Sequence, residues 1–252
     1  MHILNNEIDP RKLKLVAEFY VELVNTLERM DTYYTIEGGE LTGTSSLCSE
    51  ISKNLGYGIV KEPTVEAKAR IKETLGLEVL VKNPSEIIET IVDIFAVDRA
   101  ETQRVVENKR VVSDRGILST FIYQSGILDP ETSYEQVRQN LLTVEEISIK
   151  RGVRAPTNTW VLVDTLNGND SKRNFNIINK RLMKRIVNSE QELDTLDDVF
   201  TALDILDIYT KIATEIHTID PSVIYLCDYN RDSSTLVEKF MDCKEHRGMY
   251  RI

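Results

Sequence analysis

Apolar residues fall into two recurring patterns along this chain. Five short runs, at residues 33–37, 58–62, 110–114, 159–164 and 223–228, are rich in β-branched and aromatic side chains. They are too short for helices and predict buried strands. Longer segments between them space their apolar residues three and four apart: Ile87, Ile91, Ile94 and Phe95 within 84 to about 107, and Leu203, Leu206 and Ile212 within about 191 to 216. Strands alternating with helices predict an α/β fold whose five-stranded parallel sheet is flanked by helices on both faces. Ahead of the first strand, residues 10–30 predict an amphipathic helix with Leu13, Val16, Phe19, Tyr20, Leu23 and Leu27 in its stripe and Pro10 near its start. That helix either packs on the domain or makes an oligomer contact. The chain accordingly divides into an N-terminal helical extension, 1–31, and an α/β domain, 32–252.

Composition narrows the function classes. Of 252 residues, 41% are hydrophobic, enough for a full core. No stretch reaches the ~20 apolar residues of a membrane helix, and Met1–Asn6 lacks the pattern of a signal peptide. Cys48, Cys227 and Cys243 are odd in number and widely spaced, which suits a reducing, cytoplasmic setting. A formal charge of −10 disfavours nucleic acid as a partner. It does not exclude a small anion, because local amides and arginines outweigh net charge at short range.

Strand runs end in an acid at Glu37, Glu62, Asp114 and Asp164. Ligands of open α/β sheets bind at such strand ends, so the acids point to a phosphate or metal site or, individually, to solvated turns. After the first strand the chain reads Glu37-Gly38-Gly39-Glu40-Leu41-Thr42-Gly43-Thr44-Ser45-Ser46. Gly38 and Gly43 give the G-x-x-x-x-G spacing of a phosphate loop, but Thr44 stands where the lysine belongs. Backbone amides at Gly38, Gly43, Thr44, Ser45 and Ser46 can still cradle phosphates, and Ser45 can ligate magnesium. Farther on, Asp114-Arg115 closes the third strand. Ser119 and Tyr123, four apart on the following helix, share a face that can line a pocket or belong to the core.

These segments together resemble the thymidylate kinase family over about residues 32–243. Lys61-Glu62-Pro63-Thr64 is similar to its R-E-P-G, Phe95-Ala96-Val97-Asp98-Arg99 to its F/Y-A-x-D-R, and Asp114-Arg115-Gly116 with Ser119, Tyr123 and Gln124 to its D-R-Y-x-x-S-x-x-A-Y-Q. The family's E-G-x-D-G-x-G-K-S-T loop aligns with residues 37–46 without gaps. The resemblance implies a P-loop nucleoside monophosphate kinase fold, a homodimer, and transfer of the ATP γ-phosphoryl group to dTMP or another dNMP with Mg2+. It further implies that Arg115 grips the acceptor phosphate, Arg99 the base, and Tyr123 and Gln124 the nucleoside. Glu40 approaches the 3′-hydroxyl, and Glu62 with Pro63 shapes the pocket. Asp114 with Ser45 organises magnesium, and Lys172 or Arg173 closes over the γ-phosphate. Arg99 as a surface ion-pair partner is the plainer alternative.

Leu41, Thr44 and Gly116 depart from the family pattern. The lid region, 165–174, is poor in arginine, and Lys180, Arg181, Lys184 and Arg185 read as a solvated basic face. Losing one electrostatic contact to a transition state costs ~2.7–4 kcal/mol. A slow kinase, or a pseudokinase that binds nucleotide or serves as a scaffold, are therefore the two functional expectations.

Overall fold

The structure, a computed structural model, describes residues 8–62, 65–76, 84–106, 109–164, 171–189 and 195–245. Strands β1 (Arg29–Gly38), β2 (Gly58–Val60), β3 (Val111–Asp114), β4 (Ala155–Val163) and β5 (Ile224–Asp228) form one sheet in the order β2-β3-β1-β4-β5. Every pairing is parallel, so all five carboxyl ends open on one edge. The predicted α/β class and strand set are observed, with β1 and β4 each beginning about four residues earlier than the apolar runs suggested.

Side chains alternate across the sheet, as the two-residue strand period requires. Val161 and Val163 face one core, built with α1 (Pro10–Thr26), α5 (Ile117–Gln124), α6 (Tyr134–Lys150) and part of α8 (Thr195–Ile219). Trp160 and Leu162 face the other, built with α2 (Thr44–Leu55), α7 (Ser171–Ser189), α9 (Ser233–Glu245) and the opposite side of α8. Two further helices, α3 (Val65–Leu75) and α4 (Pro84–Val105), pack on each other, and α4 packs on α6 and α5.

Helix α1 takes the packed alternative. Asp9 caps its first turn by accepting from the Arg11 amide at 2.9 Å, and Pro10 sits where no amide donor is missed. Val16, Ala17 and Leu23 are fully buried. Tyr20 crosses to β4, its hydroxyl donating to Thr159 Oγ1 at 2.9 Å, with its ring edge-on to Phe121.

Helix α4 turns a different face inward from the one its bulky apolar residues mark. Ile87, Ile91, Ile94 and Phe95 are only half-buried, whereas Val92, Ala96, Arg99, Ala100 and Gln103 turn inward. Small residues let α4 approach α6, and the inward polar groups have partners. Gln103 exchanges hydrogen bonds with the Arg154 backbone at 3.1 and 2.9 Å. Among the described residues, no helix is long and apolar enough to cross a membrane.

Candidate functional site

The turn after β1 is shaped by close packing. A β-carbon on Gly38 would lie 2.6 Å from Thr42 Oγ1, and one on Gly39 would lie 2.9 Å from Ile205 on α8. Thr42 closes the turn by donating to the Gly39 carbonyl at 2.7 Å. Gly43 caps α2 at φ 101°, which a side chain would resist. The first amides of α2 have no partner within the helix and point to the sheet's carboxyl edge. Ser45 donates to Asp114, the last residue of β3; the carboxylate's other oxygen is buried without a hydrogen-bond partner among the described residues.

Arg115 follows in the left-handed region, at φ 66°. Three bonds hold it there. Its amide donates to Ile36 O at 2.8 Å, and its carbonyl accepts from Ser113 Oγ at 2.7 Å and Arg99 Nη1 at 3.4 Å. A backbone so placed costs on the order of 1–3 kcal/mol and is characteristic of functional positions. Its side chain meets Glu62 Oε1 and Tyr123 Oη, each at 3.2 Å. Burial pulls the guanidinium pKa down, but Tyr209, Tyr123 and Glu62 raise it by more, so it stays charged.

Beneath Arg115 lies Glu37, completely buried. It accepts from the Leu118 amide at 3.1 Å, the Ser119 amide at 3.2 Å and the Ser119 hydroxyl, so it fastens the start of α5 to β1. Burial raises its pKa, opposed by Ser119, Arg99 and Arg115. Glu37 also accounts for Gly116. A β-carbon there would stand 2.7 Å from Glu37 Oε1, which leaves no room for an aromatic residue.

Two cavities open along this edge. The larger, about 760 Å³, is lined by residues 39–47 with Glu62, Arg115, Leu162, Arg181, Lys184, Tyr229, Arg231, Ser233 and Leu236. The smaller, about 240 Å³, is lined by Glu40, Glu62, Phe95, Arg99, Arg115, Ser119, Thr120, Tyr123 and Gln124. Glu40, Glu62 and Arg115 line both, so the cavities meet at these three side chains.

No family model and no curated protein matches this chain. Among solved structures, it is similar to deoxyadenosine kinase from M. mycoides. With dATP bound, that enzyme superposes at a TM-score of 0.51 and 16% identity, over 85% of this chain and 100% of the other. With dCTP bound, the values are 0.51 and 16%, over 83% and 97%. At this identity the likeness is one of fold, that of a P-loop kinase.

Most of the residues singled out in the sequence converge on this edge. Thr44, Ser45 and Ser46 line the larger cavity beside Gly43, with Gly38 beneath the turn. Arg99 is no surface ion-pair partner: it is buried, donating to Tyr33 Oη at 3.3 Å while bordering the smaller cavity. Ser119 borders it too, but its hydroxyl is engaged by Glu37 and by Tyr209, which donates at 2.8 Å. Arg173 pairs with Asp228 at the end of β5 at 3.7 Å and is not among the residues that line the two cavities. Pro63, residues 165–170 and the Lys172 side chain lie outside the described residues.

One reading needs correcting. Arg181 is not on a solvated face: it is half-buried and bonded to the backbone of the turn. The signal was present, because Asn174, Ile178, Arg181 and Leu182 share one face of α7, and the other three are buried. Phe95 and Tyr229 were also missed as lining residues. Phe95 lies one turn from Arg99, which was a usable clue.

Proposed function

We propose that this chain transfers the γ-phosphoryl group of ATP to dTMP. The observation that supports this most is the sharing of Glu40, Glu62 and Arg115 by two cavities of unequal size. The larger suits a triphosphate on the α2 amides, and the smaller a nucleoside between Phe95, Arg99 and Gln124. A donor and an acceptor lying in them would abut at Arg115, where in-line transfer needs a cation. Arg115 would hold the acceptor phosphate and Glu40 the 3′-hydroxyl. Magnesium fits the Ser45–Asp114 pair, given the buried, unpartnered oxygen of Asp114. The ion would supply charge neutralisation for the phosphates. Ser45 would present its hydroxyl, and Asp114 would orient Ser45. The half-exposed strip Ile87, Ile91 and Ile94 on α4 is the face we propose for a homodimer.

A second reading, in which the acceptor is the 5′-hydroxyl of a deoxynucleoside, is favoured by the 3.2 Å pairing of Arg115 with Glu62. A carboxylate there offsets the cation a monophosphate would need, and it can take a hydroxyl proton as general base. The fold likeness to a deoxyadenosine kinase is compatible with it. Thr44 favours a third outcome, in which nucleotide binds without turnover.

Incubating the protein with MgATP and each deoxynucleoside or dNMP, and following ADP release, separates the three. The first reading predicts turnover with dTMP that Glu62→Gln lowers only a few-fold. Turnover with nucleosides alone, lost by ~10²–10⁴-fold in Glu62→Gln, would establish the second. Bound dTMP with no ADP released would leave a binding protein.

A further inference from the structure

We infer that Arg181 is the positioning residue that keeps the 38–46 turn in its phosphate-binding shape, a task arising from Leu41 and Thr44 in a loop that lacks its glycine and lysine. This rests on reading the larger cavity as the site of a nucleoside triphosphate.

The turn carries an intrinsic conflict. Leu41 has φ 60°, a left-handed conformation that a leucine adopts only when its surroundings impose it. Arg181 Nη1 donates to the Leu41 carbonyl at 2.9 Å and to the Thr42 carbonyl at 2.8 Å. Nη2 donates to the Tyr229 carbonyl at 3.0 Å, and the guanidinium lies 5.3 Å from the centre of the Tyr229 ring. One planar fork therefore ties the turn to the end of β5, a span a single ammonium does not reproduce. Both turn carbonyls are drawn toward α7, which leaves the amides at the start of α2 free of competing acceptors. The fork adds positive charge against the turn, where Thr44 supplies none.

Its anchorage is rigid. Ile178 and Leu182 bury the neighbouring positions of α7 in the core. The Tyr229 hydroxyl donates to Asn174 Oδ1 at 2.8 Å, and Asn174 Nδ2 donates to Asp164 at 2.6 Å, so α7 is fixed to the ends of both β4 and β5. Lys184 and Arg231 border the same cavity and can meet the phosphates directly while Arg181 is held by the carbonyls.

Titration calorimetry with magnesium-free ADP and with inorganic tripolyphosphate tests this, with dTMP binding and the melting temperature as folding controls. Arg181→Met is expected to weaken ADP and tripolyphosphate by roughly ten- to a hundred-fold, the scale of charged hydrogen bonds, and to leave dTMP unchanged. Leu41→Gly, which removes the conflict in the turn, is expected to restore most of that loss when added to Arg181→Met. If Arg181→Met does not fold, Arg181→Lys replaces it in the same cycle. Unaltered tripolyphosphate binding in the variant would overturn the role of Arg181 and leave the cavity reading intact. A loss that Leu41→Gly does not relieve would reduce Arg181 to a bare charge and overturn the positioning role. Failure of the unaltered protein to bind either probe would overturn the cavity reading and Arg181 with it.

Discussion

Glu37 shows how much a single residue can decide at the centre of this edge. A buried carboxylate normally costs several kcal/mol, and here three donors at the start of α5 offset that cost. Its pKa is nevertheless raised by burial, so the folded chain holds that proton more tightly than the unfolded chain does. Stability from this group is complete below the ordinary glutamate range and declines as pH rises toward the raised value. Denaturant melts from pH 4 to pH 8 are expected to show this decline in the unaltered protein and its absence in Glu37→Gln. A stability difference between the two that does not change with pH would show that Glu37 is ionised at little cost. The sequence could not reveal this role, because an acid at a strand end looks the same whether it meets solvent or a helix. Gly116 was the available hint: it is small because Glu37 occupies the adjoining space.

At the scale of elements, periodicity located strands and helices well but chose faces less well. On α4 the spacing of Ile87, Ile91, Ile94 and Phe95 marks one apolar face without deciding between core and surface, and these positions are half-buried. The inward face instead uses alanines, for close approach, and Arg99 and Gln103, whose burial is permitted by specific partners. Such partners come from distant segments, Tyr33 and Arg154, and leave no mark on local spacing. The same holds for Arg181 on α7, bonded to carbonyls about 140 residues away. Helix α8 meets the turn after β1 through Gly39, whose absent side chain leaves room for Ile205 and the Leu206 backbone. Gly39→Ala would place a methyl 2.9 Å from Ile205 Cγ2 and 3.2 Å from Leu206 N. A loss of ~1–3 kcal/mol is expected by thermal or urea melting, because the backbone contact cannot yield as a side chain would. Stability equal to the unaltered protein would mean that α8 and the turn move apart freely.

Across the whole molecule, charge is distributed unevenly. The chain carries −10, yet Arg115, Arg181, Lys184 and Arg231 border the larger cavity against Glu40 and Glu62. The parallel sheet places every strand end on one edge, which is why motifs at residues 37–46, 62, 99 and 114–124 meet although they are far apart in sequence. The sheet, its helices and most of the edge were legible from strand-end residues and helical spacing. What remained hidden depends on side chains reaching between elements: the Glu37 clamp, the Arg181 fork and the junction of two cavities at Glu40, Glu62 and Arg115. That junction is also where the proposed chemistry would occur. Its most direct test is calorimetric binding of adenosine and thymidine joined 5′ to 5′ through five phosphates, a molecule long enough to occupy both cavities together. Binding at least ~100-fold tighter than either ADP or dTMP, and competitive with both, is predicted, since the second half binds without a second loss of translational freedom. Affinity no better than ADP alone, with dTMP still able to bind alongside it, would contradict a shared junction.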